Sequence, residues 1–314
     1  MKTAIIGAGM AGLTCASRLQ DAGMNVTVFE KSRGTGGRLA TRRSAVGGFD
    51  HGAQFVTARD PAFRSYLESA MASGRTSRWE TDASGDETWW TGTPGMSGLV
   101  KPMADALDVQ TGQRAVALAS EGEGWSVQFE GGAAQNFQYV LLAVPVVQAI
   151  ALLGDHAASF PGLDQVEIAP CWTGMFAFKE AVPGEAAVIQ RRGDLAWATR
   201  ENTRPGRAGE LERWVVQASA DWSRAKLEET PDTVMPSLLD LFGKAVGQAV
   251  SEPVHADVHR WRYAKVEKAL GEPCLWDSDL GLGLAGDWCM AARVEAAFLS
   301  GRALADQVLA TQGH

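Results

Sequence analysis

Three glycines and one acidic residue near the start of the chain have the types and spacing that bind a dinucleotide. Gly7, Gly9 and Gly12 form a Gly-x-Gly-x-x-Gly pattern, and Glu30 lies 18 residues beyond the last of them. The first glycine permits a tight turn, the second lets backbone approach a pyrophosphate, and the third lets a helix pack closely on a strand. The acid can accept hydrogen bonds from a ribose. The pattern therefore predicts pyrophosphate and ribose binding.

The elements around these residues must place the glycines between a strand and a helix. Residues 2–6 predict a strand, residues 11–22 a helix, and residues 26–30 a second strand that ends at the acid. A helix N-terminus in this position offers free N–H groups and the positive end of its dipole to a phosphate. Met10 and Ala11, at the helix start, are therefore predicted contacts. The alternative is that the glycines lie in an ordinary loop, which would not require this order of elements.

The segment after the acid distinguishes between dinucleotides. It reads Lys31-Ser-Arg-Gly-Thr-Gly-Gly-Arg38. This resembles the segment that follows the ribose-binding acid in the flavin amine oxidase superfamily, whose Gly-Gly-Arg lies beside the FAD pyrophosphate. The resemblance implies FAD, with Lys31, Gly37 and Arg38 as contacts, since an arginine fork can bond two phosphate oxygens. The superfamily often has arginine where this chain has Ser32, and the alternative is that these arginines form a solvated basic loop.

The C-terminal end of the chain supplies a second motif of the same superfamily. Residues 281–287 predict a strand that ends in Gly286-Asp287, and a helix is predicted from about Val294. The resemblance implies that Asp287 meets the ribityl–phosphate part of FAD and that the helix N-terminus faces the flavin pyrimidine carbonyl. Ala296 stands where the superfamily commonly has glycine. The alternative is an ordinary amphipathic helix, but two FAD motifs in the expected order are more specific than one.

Composition limits the class of protein. The chain has 314 residues and a net charge of −8, which argues against a nucleic-acid-binding surface. Its four cysteines are scattered, without a Cys-x-x-Cys pair, and predict free thiols in a reducing, cytoplasmic compartment, with no disulfide framework and no metal site. No run of 18 apolar residues occurs in the sequence, so no membrane span is predicted.

The middle of the chain predicts a second domain. Helices are expected at residues 61–73, 96–106 and 231–249, and strands at 115–118, 125–129, 139–144, 173–178, 187–190, 195–199, 214–218 and 258–263. The predicted fold is α/β, a Rossmann-type FAD-binding domain with a mixed-sheet α+β substrate domain, as in amine oxidases and p-hydroxybenzoate hydroxylase. The FAD-binding domain is expected at residues 1–60, 95–150 and 280–314, and the substrate domain at 61–94 and 151–279. The resemblance also implies that Val116 contacts the adenine.

Several phrases resemble the bacterial renalase branch of the superfamily. They are Lys31-Ser-Arg-Gly-Thr-Gly-Gly-Arg38, Phe49-Asp-His-Gly-Ala-Gln-Phe55, Thr57-Ala-Arg-Asp60, Pro94-Gly-Met-Ser97, His259-Arg-Trp-Arg-Tyr-Ala264 and Gly286-Asp-Trp-Cys289. The resemblance implies an oxidase of misreduced NAD(P)H isomers, with 2-dihydro preferred over 6-dihydro, which uses non-covalent FAD and O2 and releases hydrogen peroxide. The residues alone imply only an FAD oxidoreductase.

Hydride transfer from a dihydropyridine requires no proton abstraction, so no acid–base residue is expected. The candidate pocket residues are His51, Gln54, Trp288, Arg262 and Tyr263, with Gln54 and Phe55 also expected beside the flavin. Each also has an ordinary structural interpretation, such as a turn cap, a core residue or a strand-edge ion pair.

Two rival functions stay open at this point. A flavin amine oxidase would share the cofactor motifs, but it often holds its amine between two aromatic rings, and this chain has three tyrosines. A non-catalytic FAD-fold protein, such as an escort of prenylated GTPases, would keep the fold and bind a partner protein. The sequence predicts a dinucleotide substrate and O2 as partners, and it predicts no particular oligomeric state.

Overall fold

The computed structural model describes residues 2–122 and 124–313. The chain forms two compact units. Unit 1 comprises Met1–Gly37, Val100–Glu167 and Val266–His314, and unit 2 comprises Arg38–Leu99 and Ile168–Lys265.

The chain forms eighteen described strands and eight described α-helices. The strands are β1 (Lys2–Ile6), β2 (Asn25–Glu30), β3 (Thr41–Ser44), β4 (Gly47–Asp50), β5 (Thr76–Arg78), β6 (Trp90–Gly92), β7 (Asp108–Thr111), β8 (Ala115–Glu121), β9 (Gly124–Phe129), β10 (Gln135–Phe137), β11 (Tyr139–Leu142), β12 (Glu167–Phe178), β13 (Val188–Arg192), β14 (Leu195–Arg200), β15 (Glu212–Ala218), β16 (His255–Lys268), β17 (Leu275–Asp277) and β18 (Leu282–Leu284). The α-helices are α1 (Met10–Asp21), α2 (Pro61–Ala72), α3 (Lys101–Ala106), α4 (Val146–Leu153), α5 (Ala220–Ala225), α6 (Pro231–Val246), α7 (Asp287–Met290) and α8 (Val294–Thr311).

Unit 1 is built on a six-stranded sheet in the order β17-β18-β11-β1-β2-β7. All neighbours in it are parallel except the β17–β18 pair. Ala4 and Ile5 on β1 are fully buried, as expected where helices cover both faces of a parallel sheet. Helices α1 and α8 approach closely at Gly301, where a Cβ would lie 2.1 Å from the Ala11 carbonyl oxygen. A separate antiparallel sheet, β10-β9-β8, contains the strands predicted at residues 115–118 and 125–129.

Unit 2 is built on a five-stranded sheet in the order β13-β14-β15-β12-β16. Its core joins aromatic side chains of the sheet, such as Trp172, Phe176 and Trp214, to Phe242 on α6. Two hairpins, β3–β4 and β5–β6, complete the unit.

Four segments lie in a different unit from the one that the predicted domain boundaries gave them. Residues 38–60 and 95–99 lie in unit 2, because Phe49 of the β3–β4 hairpin shares a core cluster with Met175 and Val215 of the five-stranded sheet. Residues 151–167 and 266–279 lie in unit 1, where β17 pairs with β18. The assignment of FAD to one domain and substrate to the other stays a prediction.

Some helices and strands have other bounds than the sequence predicted. The predicted helix 96–106 is a 3-10 turn, Met96–Val100, followed by α3, whose first turn contains Pro102. Proline lacks an N–H and clashes with the preceding turn, which favours a fresh helix start over a continuous helix. The strand predicted over 139–144 ends at Leu142, and α4 begins after Pro145, which the sequence analysis did not predict. No described helix is long and apolar enough to cross a membrane.

Candidate functional site

The first glycine loop of unit 1 is tightly packed at Gly7 and Gly12 and open at Gly9. Gly7 has φ +110°, and a Cβ there would lie 2.5 Å from the Ala143 oxygen. A Cβ at Gly12 would lie 2.0 Å from the Gly7 oxygen. A Cβ at Gly9 would meet no described atom within 4 Å. Gly9 therefore borders open space, as a backbone that approaches a ligand must.

The second glycine segment lies against the first. The N–H of Gly36 donates to the Ala8 carbonyl at 2.8 Å. Gly37 has φ +54°, and the nearest atom to a Cβ placed on it would be the Gly9 Cα at 3.7 Å. The structure thus brings Gly9 and Gly37, two predicted cofactor contacts, together in a cradle that side chains would fill.

Glu30 is buried and organises the loop. Its Oε2 accepts from the Ala8 N–H at 3.0 Å, and its Oε1 accepts from the Ser32 N–H at 2.8 Å. Each carboxylate oxygen can accept a further hydrogen bond, so a ribose can still be bound. The neighbouring Lys31 donates to Gln148 Oε1 at 3.0 Å, and burial, together with the nearby Arg114, lowers the pKa of Lys31.

The starts of two helices in unit 1 are available to anions. Gly9 precedes α1 and Arg293 precedes α8, and neither caps its helix through a side-chain hydrogen bond in the part of the chain that the structure describes. Met10 and Ala11 begin α1, and Val294 begins α8. A helix start without a side-chain cap suits a phosphate or carbonyl oxygen. Asp287 is buried at the start of α7.

Val116 lies on β8, where the strand register shifts. Ala115 pairs with Phe129 and Ala117 pairs with Gln128, so Val116 is the extra residue of a bulge. A bulge leaves one residue outside the ladder. Val116 is an exposed residue, which is compatible with the predicted adenine contact, and that contact stays a prediction.

Replacing Glu30 with alanine is expected to weaken FAD binding by about 1.5–3 kcal/mol, the value of a hydrogen bond to a charged group. The variant also releases the Ala8 and Ser32 N–H groups, so some loss of stability is expected. FAD dissociation constants of Glu30→Ala and Glu30→Gln, measured by flavin fluorescence, check this. Unchanged FAD affinity in both variants would remove Glu30 from the site.

A buried ionic network dominates the interior of unit 2. Glu201 accepts from Arg204 Nε at 3.1 Å through Oε1 and from Arg207 Nη1 through Oε2. The other nitrogen of the Arg207 fork donates to Asp50 Oδ2, and all four side chains are at most 4% exposed. Burial alone would lower the pKa of Arg207, but Glu201 and Asp50 raise it above its usual value. Sequence reasoning missed Glu201, Arg204 and Arg207; their spacing of three residues was the available signal.

This network gives Gln54 a role that the sequence did not predict. Gln54 was expected to line the pocket and contact the flavin, but its side chain is buried and bonded to protein. Its Nε2 donates to the carbonyls of Asp50 at 2.5 Å and Gly52 at 2.9 Å, and its Oε1 accepts from Arg204 at 2.9 Å. Its amide thus supports the local backbone.

Two further residues predicted for the pocket have structural partners, and their place in a substrate pocket stays a prediction. Trp288 is 1% exposed and its Nε1 donates to the Val144 carbonyl at 3.0 Å, so it is a core residue. Arg262 points from the edge strand β16 to a two-pronged pair with Glu228, at 2.6 and 2.8 Å, because alternate side chains on this strand face solvent. The Arg38 guanidinium donates to the Ala264 carbonyl at 3.2 Å, and its predicted phosphate contact stays a prediction.

His51 does lie in an aromatic group, with His259 and Trp261. The His51 ring centroid is 4.9 Å from that of His259 and 5.1 Å from that of Trp261. His259 Nδ1 lies 3.3 Å from Arg42 Nη2, which fixes its proton on Nε2. Burial lowers the pKa of His51 to about 3 and that of His259 to about 4, and Arg42 adds to both shifts. Both rings are therefore neutral near pH 7.

The two remaining candidate residues, Phe55 and Tyr263, are also placed by the structure. Phe55 stacks on Trp89 with centroids 3.8 Å apart. Tyr263 is half-buried on β16, two residues beyond Trp261.

Acid is expected to destabilise unit 2 through the two histidines. In the unfolded chain each binds a proton below about pH 6.5, but in the folded chain only near pH 3 for His51 and pH 4 for His259. The neutral histidines therefore favour the folded state fully above pH 6.5. As the pH falls, the free energy of unfolding decreases by up to about 1.4 kcal/mol per pH unit for His51, and by less for the partly exposed His259. Urea unfolding of wild type and His259→Asn at pH 5 and 7 checks this: the variant should lose less stability. An equal loss in both proteins would contradict it.

The four cysteines are unpaired, and none is poised to react. Burial raises the pKa of Cys289 to about 12 and that of Cys171 and Cys274 to about 11. A thiol that stays protonated is a poor nucleophile. The described residues contain no group of three or more His, Cys, Asp or Glu side chains that could hold a metal.

Comparison with known families defines the class of protein. A model described as "NAD(P)-binding Rossmann-like domain" matches residues 5–70, and one described as "Flavin containing amine oxidoreductase" matches residues 68–309. The second match covers well over half of the chain. The chain therefore belongs to the flavin-containing amine oxidoreductase family, a family of FAD-dependent oxidoreductases, and the predicted fold class is confirmed.

Curated relatives match only a short part of this chain and of their own length. An L-amino-acid oxidase of Siganus canaliculatus is 42% identical over 67 residues, 21% of this chain and 13% of its own length. A 4,4'-diapophytoene desaturase of Staphylococcus aureus is 42% identical over 60 residues, 19% of this chain and 12% of its own length. The chain thus matches about an eighth of the length of these relatives.

Solved structures share the whole fold. A protein of Exiguobacterium sp. 255-15, described provisionally as a protoporphyrinogen oxidase, has a TM-score of 0.82 at 14% identity over 99% of both chains. Cyclohexylamine oxidase from Brevibacterium oxydans IH-35A has a TM-score of 0.70 at 14% identity over 100% of this chain and 99% of its own. At these identities the likeness concerns the fold alone.

Proposed function

We propose that the protein is an FAD-dependent oxidase of misreduced dihydro-NAD(P) isomers, with the 2-dihydro form preferred. Bound FAD would accept a hydride from the dihydropyridine and pass both electrons to O2. With one proton taken up, the products are NAD(P)+ and hydrogen peroxide. The glycine cradle, Glu30 and the uncapped helix starts of unit 1 would hold the FAD.

One observation carries the choice of a dinucleotide substrate. In unit 2, strand β3 and residues 255–265 of β16, joined by the contact between Arg42 and His259, carry five cationic side chains and one anionic side chain, and Glu228 pairs with two of the five cations. The whole chain has a net charge of −8, so this local excess of positive charge is unusual. Such a surface attracts the phosphates of a dinucleotide. The neutral rings of His51, His259 and Trp261 beside it suit an uncharged dihydropyridine.

The same surface is less suited to an amine. An ammonium substrate would be repelled by Arg42, which lies against the His259 ring. Two of the three tyrosines have bonded hydroxyl groups: that of Tyr66 donates to the Leu99 carbonyl, and that of Tyr139 accepts from Gln312 at 2.5 Å. Only Tyr263 is left for the aromatic wall of an amine oxidase, although tryptophan could replace tyrosine there. The fold likeness to cyclohexylamine oxidase keeps this alternative in the test.

Anaerobic mixing tests the proposal. The purified yellow protein is mixed with NADH isomers made by borohydride reduction of NAD+, and flavin bleaching is followed in a stopped-flow instrument. Fast bleaching by the isomers, with bleaching by ordinary 4-dihydro NADH slower by about a hundredfold, supports it, because a ring carbon about 1 Å out of place reacts that much more slowly. Bleaching by benzylamine or a polyamine, but not by the isomers, would favour the amine oxidase. A colourless protein that binds no FAD would favour the non-catalytic alternative.

Non-covalent attachment of FAD is part of the proposal. Cys289, next to the predicted FAD aspartate, is fully buried, and its thiol pKa is raised, so it is unsuited to form a thioether. Acid precipitation should release all yellow colour into solution, and colour in the pellet would contradict this. The unpaired thiols also support a cytoplasmic location.

A further inference from the structure

Unit 2 contains a cleft of about 580 Å³ whose lining includes none of the residues proposed to hold FAD or substrate. Three elements of the unit form it: the turn between β13 and β14, helix α5, and helix α6. Its volume lies within the range of about 300–1,000 Å³ that is usual for small-molecule sites. The cleft is therefore large enough for a small organic ligand.

The two helices give the cleft an apolar part. Pro236 and Leu241 of α6 line it, and so does Trp222 of α5. Trp222 is half-buried and packs against the core of the unit. The ammonium group of Lys226, at the end of α5, lies 5.4 Å from the centroid of the Trp222 ring. An apolar group of a ligand would therefore meet a packed surface.

The two lysines that line the cleft already have carboxylate partners. Lys244 Nζ lies 2.7 Å from Asp240 Oδ2, four residues earlier on α6. Lys226 Nζ lies 3.1 Å from Glu229 Oε1. Because each lysine is paired with a carboxylate, neither requires a ligand to balance its charge.

Two charged residues of the β13–β14 turn, Arg192 and Asp194, line the same cleft without an ion pair in the described part of the chain. Arg192 Nη1 donates to the Ala245 carbonyl at 3.0 Å, which leaves its other guanidinium nitrogens available. Asp194 acts on Lys244 through space: Asp240 and, to a lesser extent, Asp194 raise the pKa of Lys244. One cation and one anion thus remain open to a ligand, two residues apart.

The backbone of the turn fixes this spacing. Arg192 pairs with Leu195 at the end of the β13–β14 ladder, so the turn itself contains only Gly193 and Asp194. Gly193 has φ +57°, as tight hairpin turns require. Arg191 has φ +49°, the one positive value outside glycine among the described residues. Strain of this kind is concentrated at functional sites, which suggests that the position of Arg192 serves a purpose.

We propose that this cleft binds a free α-amino acid with an apolar or aromatic side chain. The carboxylate of the amino acid pairs with the fork of Arg192, and its ammonium group pairs with Asp194. Its side chain lies against Trp222, Pro236 and Leu241. A ligand with only a negative charge would be repelled by Asp194, and one with only a positive charge by Arg192. The site shares no residue with the proposed FAD and dihydropyridine sites, so the proposed function can fail without affecting it.

Equilibrium dialysis of the FAD-loaded protein against L-phenylalanine tests this site. The ligands 3-phenylpropionate and 2-phenylethylamine each carry only one of the two charges and serve for comparison. The variants are Arg192→Met and Asp194→Asn, both at exposed positions of the turn. The matched control is Arg224→Met, which removes an exposed arginine of α5 that pairs with Asp221 and does not line the cleft. The visible flavin spectrum is recorded in every titration, because a ligand beside the flavin changes it.

Phenylalanine should bind wild type and Arg224→Met equally, without a change in the flavin spectrum. It should bind Arg192→Met and Asp194→Asn less tightly by about tenfold or more, since each variant loses a charged contact. Each single-charge ligand should bind wild type more weakly than phenylalanine does. By contrast, 3-phenylpropionate should bind Asp194→Asn more tightly than wild type, because the repulsion is removed.

The opposite responses of two ligands to Asp194→Asn separate a direct contact from a general loss of folding. Three results would overturn the inference. They are no binding of phenylalanine to wild type at millimolar concentration, equal affinity for wild type and both turn variants, or binding that shifts or bleaches the flavin spectrum in proportion to occupancy.

Discussion

Replacing Gly9 with alanine is expected to leave the apoprotein folded and to weaken FAD binding by at least about tenfold, or about 1.4 kcal/mol. The methyl group would meet no described protein atom within 4 Å, and φ −84° at this residue suits alanine. The same methyl group would occupy the cradle between Gly9 and Gly37, where the backbone must come close to a pyrophosphate. Thermal unfolding of the apoprotein and FAD titration by fluorescence separate the two effects.

Two other glycines serve as controls for this prediction. Gly12→Ala should damage the fold itself, because its Cβ would lie 2.0 Å from the Gly7 oxygen. Gly243→Ala, in the last turn of α6, adds a methyl group at an ordinary distance of 3.6 Å from the Gln248 carbonyl oxygen and should leave FAD affinity unchanged. If Gly9→Ala bound FAD as tightly as wild type, the cradle would not be the pyrophosphate site.

The sequence predicted the part of the site whose residues lie close together in the chain. Gly7, Gly9, Gly12 and Glu30 belong to one strand–helix–strand unit, whose geometry follows from the order of its elements, and the structure brings these residues together. The family match confirms the fold class that these residues predicted.

The sequence did not predict side-chain contacts between segments that lie far apart in the chain. Asp50 and Gln54 meet Arg207 and Arg204 across more than 140 residues of chain, and no local pattern encodes those pairs. For this reason the sequence did not predict the hydrogen bond that Gln54 accepts from Arg204. Trp288 directly follows Asp287, the predicted FAD contact, but the helical turn of α7 carries its ring into the interior.

Replacing Glu201 with alanine is expected to cost about 3–5 kcal/mol of unfolding free energy, the usual effect of removing one member of a buried ion pair. Glu201 is fully buried between Arg204 and Arg207, and without it Asp50 is the remaining carboxylate bonded to this pair of guanidinium groups. Urea unfolding at pH 7 measures the loss. Asp240→Ala, which breaks an exposed pair with Lys244 in the same unit, is the control and should unfold like wild type, since surface ion pairs contribute little. A Glu201→Ala protein as stable as this control would mean that the two arginines find water or other acceptors, and that the network does not hold residues 50–55 in place.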